Sequence, residues 1–181
     1  MNNMQIVIVN GAPRSGKDTF CQIAQQLLGE SRCTTLSTVD RMKEVAFLLG
    51  WNGQKDPKTR KFLSDLKDIS SEWNDIPFQD VKRRAEAFAA SGLRGIIFVM
   101  SREPEEIERF CKELDAIAIL IRRDEVDNLE QSNHADAHVF NYAYNEVIYN
   151  NGTFLDLERQ VRDFIERRGI YDYKHDPILD R

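Results

Sequence analysis

The stretch from Met4 to Leu28, MQIVIVNGAPRSGKDTFCQIAQQLL, constrains this chain more than any other. A compact apolar run, Ile6 to Val9, leads into the turn Gly11-Ala12-Pro13-Arg14-Ser15-Gly16-Lys17. A helical pattern begins at once, with Phe20, Ile23, Ala24, Leu27 and Leu28 on one face. Strand, glycine loop and helix follow one another in the order that a phosphate-cradling loop requires.

The spacing carries the chemistry. Gly11 and Gly16 bracket four residues, so the backbone can curl with its N–H groups inward around a polyphosphate, while the helix adds the positive end of its dipole. Lys17 supplies a mobile charge for the outer phosphates. The pattern GxxxxGK[ST] is met except at its last position, where Asp18 replaces the hydroxyl residue that ligates Mg²⁺ and Thr19 stands one place late. The expected nucleotide contacts are therefore Gly11, Ala12, Pro13, Arg14, Ser15, Gly16, Lys17, Asp18 and Thr19. Asp18 suits a helix N-terminus, but beside phosphates it needs a metal or its waters in between.

With 181 residues the chain is long enough for one domain with a sizeable core, and an inserted lid is affordable at that length. A formal charge of −5 argues against a general nucleic-acid binder, which needs a basic field to displace counterions. Cys21, Cys33 and Cys111 are scattered without metal-ligand spacing, and they read as reduced core thiols. No basic segment followed by a long apolar one opens the sequence, and no run approaches membrane-spanning length. The expectation is a soluble, cytoplasmic monomer or homodimer with no membrane partner.

Downstream, strand and helix alternate. Cys33 to Ser37 reads as a second strand, followed by a helix from near Thr38 that buries Met42, Val45, Ala46 and Leu49. Two helical segments follow a polar loop: Lys58 to about Trp73, burying Phe62, Leu66, Ile69 and Trp73, and Phe78 to Ser91, burying Phe78, Val81, Ala85 and Phe88. This is more helix than a crossover needs, so residues of about 51–92 are expected to form an insertion that covers a second substrate. Gly95 to Met100 is a central strand, and Pro104 opens a helix with Ile107, Phe110, Cys111 and Leu114 inward. Ala116 to Ile121 is the fourth strand, about 122–143 a short polar lid, and Glu146 to Tyr149 the fifth strand. A last helix, capped by Thr153 with Asp156, is expected to bury Phe154, Leu157, Val161, Phe164 and Ile165. Within the lid, His134, Asp136 and His138 alternate as extended metal ligands would, but they lack a fourth partner and read as a polar surface.

Five strands with interleaved helices predict a parallel sheet wrapped on both faces, in which the residues after each strand meet at one edge. Those residues are Arg14 and Lys17, then Asp40, Arg41 and Lys43, then Arg102 and Glu103, then Arg122 and Arg123. An acidic protein thus gathers cations at its ligand edge. Phosphoryl transfer needs such a constellation, because alignment and electrostatic stabilisation supply most of the catalysis. Lys17 with Arg122 or Arg123 are the candidates for the transferring phosphoryl group. Asp40 is the first candidate to orient Mg²⁺-bound water or the acceptor, with Asp18 and Glu103 as its rivals and Asp18 and Asp40 as the metal-side carboxylates. Arg41, Lys43, Arg60 and Arg102 are the candidates for acceptor contacts.

On these residues a resemblance rests. GAPRSGKDTF, on its strand and helix, resembles the P-loop kinases of the nucleoside monophosphate kinase group. The pair Lys17-Asp18 is similar to phage-type deoxynucleoside monophosphate kinases and to animal-type phosphomevalonate kinases. STVDRMKEVAFLLGW, with Arg60 after a polar loop, resembles the acceptor-binding helices of the phage-type enzymes. PRSG alone is also similar to the phosphate loop of sulfotransferases, but Lys17 directly after Gly16 favours the nucleotide loop. The resemblance implies a three-layer P-loop NTPase fold with strand order 2-3-1-4-5, an ATP·Mg²⁺ donor, and a nucleoside monophosphate as the small-molecule acceptor. The alternatives are a P-loop kinase of another phosphorylated metabolite and a non-catalytic nucleotide-binding regulator. The chain departs from the group in having no aspartate at the end of its Gly95–Met100 strand and a short, acidic lid.

Overall fold

Period-two alternation along the strands sorts the core into layers. In the computed structural model, which describes residues 4–127 and 139–170, β1 (Met4–Asn10), β2 (Cys33–Ser37), β3 (Gly95–Met100), β4 (Ile117–Arg122) and β5 (Glu146–Tyr149) form one sheet in the order β2-β3-β1-β4-β5. β1 runs parallel to β3 and β4, and β4 parallel to β5. Val7, Val9, Ile96, Phe98, Ile119, Ile121 and Ile148 share one core with the apolar faces of α1 (Lys17–Leu28) and α7 (Phe154–Arg167). The intervening Ile8, Ile97, Val99, Ala118 and Leu120 are buried as well, as strands covered on both faces require. On these strands α5 (Pro104–Leu114) touches β1 and β4 and buries Ile107 and Phe110. The order 2-3-1-4-5 that the resemblance implies is present, with helices on both faces of the sheet.

Phe20 keys the larger layer, meeting Phe98 and Phe164 edge-on at centroid distances of 5.9 and 5.5 Å. The helices begin where the sequence provides a start. Asp56 accepts from the Thr59 amide with Pro57 in the first turn of α3 (Pro57–Asn74), and Thr153 with Asp156 forms a complete capping box on α7.

The chain divides into two compact units, 1–35 with 92–181, and 36–91. The second holds α2 (Asp40–Leu48), α3 and α4 (Ile76–Ala89), so α2 goes with the two helices of the expected insertion. Its buried apolar side chains are Leu36, Met42, Ala46, Pro77, Phe78, Val81 and Ala85. Three residues expected inside are out: Leu49, Ile69 and Trp73, the last 82% exposed. α3 buries no residue fully, because a three-helix unit covers only one flank of it and the apolar stripe continues in sequence past that cover. Leu49 follows the last residue of α2, so it leaves the helical face on which it was placed. In the first unit Phe154 is 58% exposed, because it is the first residue of α7 and precedes the turn that faces the core. Among the described residues no helix is long and apolar enough to cross a membrane.

Candidate functional site

The loop between β1 and α1 turns on two glycines that have no room for a side chain. At Gly11 (φ 152°) a Cβ would lie 2.3 Å from the Ile121 carbonyl oxygen and 2.6 Å from Ser15 Oγ; at Gly16 (φ 101°) it would lie 2.3 Å from Asn150 Nδ2. Between them Arg14 takes a left-handed φ of 67°, uncommon outside glycine. Lys17 Nζ donates to the carbonyls of Gly11 at 2.7 Å and Ala12 at 2.8 Å, so the ammonium lies over the loop. Ser15 is fully buried, yet its Oγ has no hydrogen-bond partner, and α1 starts without a side-chain cap. A buried orphan hydroxyl beside uncapped helix amides is costly unless a ligand or water completes it. That is the environment an anion such as a phosphate group would satisfy.

Asn10, fully buried at the end of β1, ties the start of this loop to two other strand ends. Its Oδ1 accepts from the Gly11 amide at 2.8 Å, and its Nδ2 donates to Tyr144 Oη at 2.7 Å and to the Arg102 carbonyl at 3.2 Å. Tyr144 in turn donates to the Val139 carbonyl at 2.7 Å. Burial pushes the Tyr144 phenol up to about 12, against the opposing pull of its bond to Asn10, so it stays a donor. At the exit of β3 the carboxylate comes from one helical turn further on: buried Ser101 donates through Oγ to Glu106. No aspartate stands at this strand end, and nothing in the spacing of Ser101 and Glu106 announces the pair.

The exits of β4 and β5 complete the site. Arg122 is held by Asp127 at 2.8 Å, and its guanidinium lies over the rings of Phe140 (5.0 Å) and Tyr149 (5.8 Å). The hydrogen bond to Asp127 raises its pKa further. Arg123 pairs with Glu125 at 2.6 Å and lines a groove of about 440 Å³ together with Arg14, Lys17, Asp18, Asn150 and Phe154. Gly16, Thr19, Gly152, Thr153 and Leu157 lie along the same groove. The two neighbouring arginines thus have different surroundings: Arg122 meets a buried carboxylate and two rings, and Arg123 meets an exposed carboxylate and lines the groove. Asn150, read from sequence only as part of a turn, donates through Nδ2 to the Ser15 carbonyl at 2.9 Å. The only signal of this in the sequence is the Asn150-Asn151-Gly152 run at a strand's C-terminal end.

The other candidates belong to the second unit or to β3. Asp40 accepts from the Ser37 amide at 2.8 Å, Lys43 at 3.1 Å and Arg84 at 3.2 Å, and Arg84 also pairs with Asp80 at 3.5 Å. Arg41 pairs with Glu44, Arg60 is exposed on the first turn of α3, and Arg102 is exposed beyond β3. Arg84 joins this set only through the structure. Among the described residues no cluster of three or more His, Cys, Asp or Glu side chains is placed to hold a metal; His134, Asp136 and His138 lie outside the described residues.

No protein-family model matches the chain, and no curated protein does. Among solved structures the chain is similar to one from Chloroflexus aurantiacus described as a "putative kinase", with a TM-score of 0.52 and 16% identity over 92% of this chain and 98% of that one. It also aligns with shikimate kinase from Bacteroides thetaiotaomicron at a TM-score of 0.44 and 12% identity, over 91% of this chain and 98% of that one. At such identities the first likeness is one of fold alone.

Proposed function

We propose that the protein is a P-loop kinase that transfers the γ-phosphoryl group of ATP to a nucleoside or deoxynucleoside monophosphate. The observation that carries this reading is the orphan Ser15 hydroxyl and uncapped α1 in a glycine loop that also holds Lys17 and opens on a groove lined by Arg14 and Arg123. The backbone of 11–19 would hold the triphosphate, with Lys17 exchanging the Gly11 and Ala12 carbonyls for phosphate oxygens. Arg123, released from exposed Glu125, would stabilise charge on the transferring group, and Arg122 would hold the wall behind it. Phe154 and Leu157 offer an apolar wall for the base.

Asp18, exposed in the first turn of α1, fits Mg²⁺, which keeps several waters and takes one or two carboxylates beside phosphate oxygens. When bound, the ion neutralises charge on the phosphates. Asp40, already oriented by Lys43 and Arg84, is read as the acceptor-side or metal-water carboxylate, with Arg41, Lys43, Arg60 and Arg102 as acceptor contacts. A panel of nucleoside monophosphates and phosphorylated metabolites, assayed for ADP release that requires acceptor, Mg²⁺ and Lys17, tests the reading. Turnover with a nucleoside monophosphate supports it, turnover only with another phosphomonoester moves the acceptor class, and no turnover with any member overturns it.

A second reading, a nucleotide-binding regulator without turnover, is favoured by Asp18 in place of the metal hydroxyl and by the Ser101–Glu106 pair where β3 lacks an aspartate. ATP binding without transfer to any acceptor would select it.

A further inference from the structure

The residue that shapes the phosphate loop from outside is Asn150, one position past β5 and 135 residues away in sequence. Its backbone amide donates to the Arg122 carbonyl at 2.7 Å, which anchors it to the end of β4. Its side-chain Nδ2 donates to the Ser15 carbonyl at 2.9 Å and occupies the space a Gly16 side chain would need. In a trans peptide unit the carbonyl and the following N–H point in opposite directions. Fixing the Ser15 carbonyl toward Asn150 therefore fixes the Gly16 N–H the other way. This peptide can turn over more readily than one that precedes a residue with a side chain, because Gly16 tolerates both signs of φ and sits at +101°. A turned-over peptide would present a carbonyl oxygen where the phosphate-binding loop needs a donor.

We infer that Asn150 is a positioning residue for the proposed nucleotide site: its carboxamide latches the Ser15–Gly16 peptide so that the Gly16 amide is held ready for a phosphate oxygen. The inference rests on the reading of 11–19 as a phosphate cradle. The neighbouring Asn151 provides an internal contrast. It braces Asp124 through two hydrogen bonds, accepting from the Asp124 amide at 2.9 Å and donating to its carboxylate at 2.8 Å, and touches none of the loop's carbonyls in these bonds.

The test uses the full chain, with ATP and Mg²⁺ in calorimetry and with the ¹⁵N–¹H signal of Gly16 as a local reporter. Wild type is expected to bind ATP with a large displacement of the Gly16 signal. Asn150→Ala, losing one hydrogen bond, is expected to bind about five- to tenfold more weakly with that displacement reduced. Asn150→Asp keeps the shape and replaces the donor by an acceptor, so it should lose more than Asn150→Ala. Asn151→Ala should bind ATP as wild type does, with the Gly16 displacement intact. Equal affinity and equal Gly16 displacement in wild type and both Asn150 variants overturns the inference while leaving the cradle standing. Equal losses in Asn150→Ala and Asn151→Ala also overturn it, since general loosening of the loop would then suffice. Failure of wild type itself to bind ATP overturns the cradle, and the latch with it.

Discussion

Glycine is required at Gly16 and at Gly95 for different reasons, and the two separate function from folding. Gly16→Ala combines an unfavourable φ with a Cβ 2.3 Å from Asn150 Nδ2, so ATP binding should be lost along with some stability. Gly95→Ala places its Cβ 2.1 Å from the Arg32 backbone oxygen, where nothing can yield cheaply, so it should lower the melting temperature through the sheet edge while the folded fraction still binds ATP. Calorimetry and thermal melts on the two variants check both. The cysteines give a further residue-scale expectation. Burial pushes the Cys21 thiol well above its ordinary value and Cys33 up to about 12, and it raises the half-buried Cys111 as well. All three therefore stay protonated at pH 8, and iodoacetamide should modify Cys111 first and the other two only on unfolding, as read by mass spectrometry. At this scale the tight glycine turn and the Lys17 ammonium lying over it are legible in the sequence, because they follow from spacing within one turn. Asn10, Tyr144, Asn150 and the Ser101–Glu106 pair are not, because each acts through a partner that only the folded chain brings near.

Elements whose ends carry their own signals are read almost to the residue: β2, β3 and β5 begin and end where the sequence places them, and α7 carries its predicted capping box. Thr153→Ala should cost about 1 kcal/mol, or roughly 2–4 °C in melting temperature for a domain of this size. Asp156, whose bonds to Thr153 hold its carboxyl below the usual range, contributes stability that is present above the ordinary carboxylate pKa and lost as pH falls through the lowered one. The melting temperature gap between wild type and Asp156→Ala should therefore be wider at pH 7 than at pH 3. Helix faces are less legible than helix ends, as Ile69, Trp73 and Phe154 show, because apolar spacing reports the presence of a stripe and not the presence of something to cover it. Phe20→Ala, at the meeting of Phe98 and Phe164, should cost about 3–5 kcal/mol, whereas Trp73→Ser should stay within about 0.5 kcal/mol, a contrast that urea melts resolve.

For the whole molecule, alternating strand and helix leads to a parallel sheet wrapped on both faces, and the order β2-β3-β1-β4-β5 is foreseeable only through the resemblance to the P-loop kinases. Which cation serves which purpose is not. Arg122 and Arg123 are indistinguishable as letters, and only the folded chain sets Asp127 and two aromatic rings beside the first and exposed Glu125 and the groove beside the second. The roles proposed for these cations therefore rest on the folded chain, and they depend on the loop at 11–17 being a triphosphate site. Titration of ATP with Mg²⁺ into wild type and Lys17→Ala tests that dependence most directly: saturable one-to-one binding by wild type and its loss in the variant is the predicted result, and equal affinity in the two, or no binding by wild type, would contradict it.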